Sequence, residues 1–197
     1  SYAMADEAIS LSGKRHDIKL EVAGYMNKGD CHELNFEYSL AVIMFRKGLE
    51  ISEKSHYNEG KADALFRIGR SYSYQKDYER SAEYLDKSLQ LARTINNLKI
   101  EGQVLACRAD NLRQTGNIDD ALRLYNEALE PARKADDMNT IGNIYSSLGA
   151  IYYSRGKFHE AILNYNQART MRVQQGNLLR VAQMDNNIAN AYYNIAR

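Results

Sequence analysis

The chain has 197 residues, 44% of them hydrophobic and 26% charged, a balance that supports a folded core and argues against a disordered segment. A net charge of +1 leaves no basic excess to draw in nucleic acid or a membrane surface, so neither is an expected partner. The two cysteines, Cys31 and Cys107, stand in no metal-ligand spacing, so no disulfide framework or metal is expected and a reducing compartment, the cytoplasm, is.

The opening Ser1-Tyr2-Ala3-Met4 has neither the basic nor the apolar stretch of a signal peptide, and the tripeptide before Met4 reads as a cloning remnant. No apolar run reaches the length of about 18 residues that spans a bilayer. Residues 5 to 12 read as the tail of a helix. Asp17 to Asn27 reads as the first helix of a pair, in register with the later helices only if about five extra residues are inserted around Lys28 to Asn35. Tyr38-x2-Ala41-x3-Phe45-x2-Gly48-Leu49 is the second helix of that pair, apolar or small residues falling on one face.

From residue 62 onward the pattern is regular. Leu65, Ile68, Gly69 and Tyr72 mark a first helix, and Lys76-Asp77-Tyr78-x2-Ser81-x3-Leu85-x2-Ser88-Leu89 its partner. The next pair carries Leu105, Ala109 and Leu112, then Gly116-Asn117-Ile118-x2-Ala121-x3-Tyr125-x2-Ala128-Leu129. Asn117 is placed to cap its helix, with Asp119 and Asp120 in the favoured first turn. Pro131, the single proline, falls inside that helix and is expected to kink or shorten it near Glu127 to Glu130. The third pair is Tyr145-x2-Leu148-Gly149-x2-Tyr152, then Gly156-Lys157-Phe158-x2-Ala161-x3-Tyr165-x2-Ala168. The three second-helix motifs begin at 76, 116 and 156, an even spacing without slippage. Ile188-Ala189-x2-Tyr192 opens a further pair whose second helix is missing, which reads as a sign that the natural protein continues or that this end packs on another molecule.

A fixed period of this length with no sheet pattern signals an all-α stacked repeat array. The array divides into divergent N-terminal helices and a first repeat over 5–61, repeats over 62–101, 102–141 and 142–181, and a first helix over 182–197. Small residues such as Gly149 and Ala161 let paired helices approach closely; a large side chain at either is expected to cost roughly 1–3 kcal/mol.

The Tyr145…Ala168 pattern closely resembles the tetratricopeptide repeat, with units roughly six residues longer than its usual period of about 34. It is similar to the 40-residue subtype of kinesin light chain, Pins-type adaptors and Rap/PlcR-type bacterial regulators. The resemblance implies a right-handed α-solenoid, with the face of each first helix opposite its core stripe lining a concave groove. Those residues are Asp63, Arg67, Arg70 and Tyr74; Gln103, Cys107, Asp110 and Gln114; Asn143, Ser147, Ala150 and Ser154; and Gln183, Asn187, Asn190 and Asn194. Carboxamides match the donor and acceptor of an extended backbone, so these positions are candidates to bind a protein or peptide. Arg67 and Arg70 are expected to hold a carboxylate, and Tyr153 and Tyr193 to add contact area on the flank.

The expected function is a non-catalytic interaction or sensing module. The alternative is self-association, a homodimer formed through the C-terminal helix. The clamp that some co-chaperone members of the family use is not expected, because Phe66 and Cys107 occupy two of its positions. His16, His32, His56 and His159 lie at no catalytic or ligand spacing, Cys31-His32 reads as exposed loop, and the acid pairs Asp119-Asp120 and Asp136-Asp137 read as helix caps. No cofactor or catalytic residue is expected.

Overall fold

Backbone sterics set the frame. In a computed structural model, which describes residues 2–15 and 17–197, a left-handed residue recurs every 20 positions: Phe36, His56, Lys76, Asn96, Gly116, Asp136, Gly156 and Gly176, all with φ between +51° and +86°. His16 lies outside the described residues. Each left-handed residue ends one helix in a Schellman motif. The Lys76 amide donates to the Ser73 carbonyl (2.9 Å) and the Asp77 amide to Tyr72 (3.0 Å); Gly156 and Lys157 repeat this with Tyr153 and Tyr152. The residue after it takes the N-cap position of the next helix, and some of these residues, as Asp17 does before α2, also cap it through the side chain. Asp17, Asp77, Asn97, Asp137 and Asn177 each accept, through the side chain, the amide three residues on at 3.1 Å.

Ten helices result among the described residues, with no strand: α1 Tyr2–Arg15, α2 Ile18–Leu34, α3 Tyr38–Lys54, α4 Asn58–Tyr74, α5 Tyr78–Thr94, α6 Leu98–Gln114, α7 Ile118–Lys134, α8 Met138–Ser154, α9 Phe158–Gln174 and α10 Leu178–Ile195. From α2 onward, consecutive helices are joined by three-residue links. The helices gather into two compact units, Ser1–Cys107 and Arg108–Arg197, the division falling within α6.

In the first unit, α2 runs 17 residues and begins 40 before α4. The expected insertion around Lys28 to Asn35 is therefore absent, and the period holds without it. Polar residues hide the register: Lys28 and His32 stand where α4 has Ile68 and Tyr72. They are accommodated because α1 packs there with polar groups of its own, Lys28 binding Asp6 at 2.7 Å and His32 meeting the Tyr2 hydroxyl at 3.1 Å. Cys31 and His32 lie inside α2 and are half-buried, in contrast to the exposed loop expected there. Phe45, Ala41, Ile68 and Ala64 form the buried core between α2, α3 and α4. A Cβ placed on Gly69 would lie 2.8 Å from Leu85, and one on Gly29 would overlap the Phe45 ring, so both glycines are required by close helix approach.

The second unit repeats the device. A Cβ on Gly149 would come 2.6 Å from the Tyr165 ring, and Ala161, Tyr165, Ala168 and Met184 are buried together. Pro131 does not shorten its helix: α7 keeps 17 residues, with Pro131 buried between Ala128 and Ala132. The proline removes one donor to the Glu127 carbonyl, but in the last turn packing holds the helix together. Asn117 occupies its cap position without capping; its amide donates to Thr115 Oγ1 at 3.1 Å instead.

Candidate functional site

In the first unit the helix face opposite the core stripe is charged and largely satisfied from within. The Arg67 Nε donates to Asp63 at 2.9 Å, and its Nη1 pairs with Asp30. Arg70 Nη2 reaches Glu33 at 2.6 Å and Asp30 at 3.0 Å, and the buried Ser71 hydroxyl donates to Glu33 at 2.6 Å. The guanidinium groups lie over Phe45 and Phe66 at 5.9 and 5.3 Å. Burial pulls both pKa values down, and neighbouring carboxylates more than reverse it: Asp63 and Asp30 for Arg67, Glu33 with Tyr74 and Asp30 for Arg70. The carboxylate expected from a partner is thus already supplied by α2.

Asp30 sits one period before Arg70, so the disguised register of α2 is what conceals it. Asp30 and Glu33 are the residues that sequence reasoning missed in this unit. Beside the cluster lies a cavity of about 300 Å³, lined among others by Lys19, Met26, Tyr57, Asp63, Arg67 and Gln103. Tyr74 is half-exposed and tilts against Tyr38 with ring centroids 5.3 Å apart. Cys107 is buried.

The second unit presents a different chemistry. Asp110 accepts hydrogen bonds from the Tyr125 hydroxyl and from Ser147 Oγ at 3.3 Å, and Arg113 stands 3.7 Å away. Burial pushes the Asp110 carboxyl above the usual range, against the hydrogen bond from Tyr125; burial and Asp110 in turn raise the Tyr125 phenol. Asn194 Nδ2 donates to the Tyr153 hydroxyl at 2.9 Å and to the Asn190 carbonyl at 2.8 Å, which brings three predicted residues together. Tyr153 also meets Phe158 edge-on at 5.4 Å. Asn187 is half-buried, while Gln114, Gln183, Asn190 and Tyr193 are exposed. Tyr193 lies under Arg197 at 5.6 Å.

Asn143 is exposed and already engaged: its Oδ1 accepts from Arg172 Nη2. Arg172, on α9, is only 4% exposed and was missed. The available signal was Gly142, whose missing side chain leaves space for the guanidinium. Asp137 caps α8 through Thr140, as the acid pair suggested, while Asp136 takes the left-handed turn position. His32 Nδ1 meets Glu37 at 2.7 Å, a local pair on an otherwise ordinary surface. Among the described residues no group of three His, Cys, Asp or Glu side chains converges to hold a metal, and no helix is long and apolar enough to cross a membrane.

The family model described as tetratricopeptide repeat matches residues 21–94 and 101–172. Tetratricopeptide repeat protein 29 of Trypanosoma brucei brucei is 26% identical over 125 residues, covering 64% of this chain and 26% of that protein. The protein of the same name from Macaca fascicularis is 22% identical over 163 residues, 83% of this chain and 33% of its own length. The chain thus spans about a quarter to a third of the curated relatives it matches. Among solved structures, BtubC (BKLC) from P. vanneervenii is similar with a TM-score of 0.79 at 17% identity, over 99% of this chain and 83% of that one. NprR in complex with its cognate peptide NprX gives 0.68 at 15% identity, over 100% and 61%. At these identities the likeness shows the fold alone, the all-α, right-handed α-solenoid class.

Proposed function

The chain belongs to the tetratricopeptide repeat family, and on that premise we propose that it is a non-catalytic scaffold of the cytoplasm that binds an extended protein or peptide segment on its first-helix faces. It serves as the interaction or sensing module of a larger signalling or adaptor protein. One observation supports this reading: in the second unit Asn194 of α10 donates to the Tyr153 hydroxyl of α8, setting a carboxamide beside a phenol, and Asn190 and Asn187 lie about one and two turns before Asn194 on the same helix. Amides there offer a donor and an acceptor per side chain, the complement of an unpaired peptide backbone. Gln183, Tyr193 and Asn143 extend that face, and Asp110 and Gln114 belong to its earlier helix. In the first unit the contribution comes from Gln103, Tyr74 and the cavity beside Arg67, because Arg67 and Arg70 are held by Asp30, Asp63 and Glu33. A solved relative of the same fold, NprR, is described in complex with a peptide, which supports the class of partner.

The test is N187A/N190A/N194A, read on an array of immobilised peptides with helicity monitored by circular dichroism. The folded triple variant is expected to lose most of the peptides that the wild type captures. An unchanged capture profile would sink the reading.

A second reading, self-association into a homodimer through α10, is favoured by the apolar surface that helix leaves open. Leu178 and Leu179 are 79% and 73% exposed, and Tyr192 and Tyr193 58% and 62%.

A further inference from the structure

The half-buried arginines of α4 are matched by opposite charges. Arg67 and Arg70 meet Asp30, Asp63 and Glu33. Arg172 differs. Its guanidinium is nearly fully buried, yet its partners are amide oxygens alone: Gln175 Oε1 at 3.0 Å, Asn139 Oδ1 at 3.4 Å, and Asn143 Oδ1. No Asp or Glu pairs with it among the described residues, and the charge it does feel is a second cation, Arg180. Burial and Arg180 together lower its pKa.

The position is also out of pattern. One, two and three periods earlier stand Ala132, Ala92 and Ser52, small buried residues that leave the helices close. Arginine fits at 172 because Gly142 opposite it has no side chain; a Cβ there would lie 3.1 Å from the guanidinium carbon. The C-terminal end of α9 offsets part of the charge, but a helix terminus supplies only about half an elementary charge. The remainder is unmatched among the described residues.

We propose that Arg172, with Asn139, Asn143 and Arg180, forms a carboxylate-receiving site on the second unit, taking an acidic side chain of the bound segment. Asn139 and Asn143 are exposed and turn their oxygens toward Arg172, so their Nδ2 donors face away from it. An arriving carboxylate meets these two donors, backed at close range by the buried guanidinium and flanked by Arg180. It need not displace Arg172. The acidic contact expected at Arg67 and Arg70 is thereby relocated, from guanidinium groups that the chain neutralises itself to one that it does not. The inference rests on the peptide-binding reading of the same face and adds to it the charge of the partner.

The test uses the 197-residue chain with two fluorescein-labelled probes, a deca-glutamate and a deca-glutamine peptide, and anisotropy at low ionic strength. The wild type is expected to bind the glutamate probe about tenfold more tightly or better. R180Q, at an exposed position, is expected to reduce that preference with the fold intact. N143D is near-isosteric and places the missing counter-charge inside the chain. It is expected to abolish the preference and at the same time raise the melting temperature, an outcome that a merely structural arginine would not produce. Equal binding of both probes by the wild type, binding of neither, or a preference that survives N143D overturns the proposal. If both probes bind alike and N187A/N190A/N194A releases both, the peptide face stands and the anion site is wrong. If the triple variant changes nothing while N143D removes the glutamate preference, the anion site stands without the peptide face.

Discussion

Asp110 is placed so that its carboxyl is wanted for its oxygens and disfavoured for its charge. Tyr125 and Ser147 both donate to it, and burial raises its pKa over the ordinary value. A carboxyl whose folded pKa lies above its unfolded one binds its proton more tightly when folded. The stability linked to that proton is fully present below about pH 4, the unfolded value, and is lost as pH rises through the raised folded value. D110N keeps an acceptor for Tyr125 and removes the charge. The melting temperature of the wild type relative to D110N is therefore expected to climb as pH falls from 7 toward about 4. A difference that stays flat across that range would show that Asp110 is not the group responsible. Other single residues are less legible in the sequence. Arg172 sits in a run of otherwise ordinary helical positions, and its meaning depends on Gly142, thirty residues away and on another helix. Periodicity names the residues that repeat, and a residue that breaks the repeat is visible only once its neighbours are known.

At the scale of the helix, the turns carry the regularity. Gly116 and Gly156 stand out as helix stops in the sequence, but Phe36, His56, Lys76, Asn96 and Asp136 occupy the same left-handed place without a glycine to announce it. An L-residue there is strained by roughly 1–2 kcal/mol, of which the greater unfolded freedom of glycine cancels a part. Lys76→Gly is expected to stabilise by about 0.5 kcal/mol, and Gly156→Lys to destabilise by about 1 kcal/mol. Gly156 has open space around the position a Cβ would take, so the second change isolates the backbone term. Urea midpoints of the two variants check this; movement in the same direction would mean that side-chain contacts at the turn matter more than φ. The close pairs between helices are partly readable. Gly69 with Leu85 and Gly149 with Tyr165 follow from small and large residues sixteen apart, and Gly29 with Phe45 has the same spacing. That third pair is hidden because Lys28 and His32 break the apolar pattern around Gly29, and only α1 explains why polar residues are tolerated there.

For the molecule as a whole, the question left by α10 is whether its open apolar face meets a second copy. Sedimentation velocity across a wide range of concentration is the measurement. A mass that doubles with concentration and returns to that of one chain in L178E/L179E would support the homodimer; a single-chain mass throughout would remove that reading and leave peptide binding alone. The fold class is legible from the 40-residue period because stacking forces one solution on every pair of amphipathic helices. The character of each binding face is not. Arg67, Arg70 and the amides of α10 share a helix position, and the difference between a neutralised cluster and an exposed one is decided by Asp30 and Glu33, on a helix whose register polar residues disguise.

The left-handed turn, recurring at a constant interval, gives the chain a kind of reading frame. Each turn is interchangeable with the next, so direction along the first unit is counted in helices: one turn reverses the chain and two restore it. Joining Phe36 directly to Asp77 would excise α3 and α4 together and still hand α2 to α5 through the same kind of link, with Gly29 now opposite Leu85 where Phe45 had been. Removing a single helix with its link would instead set every later helix of that unit running backwards. Repeats can therefore be lost or gained in pairs of helices without a new turn having to be invented.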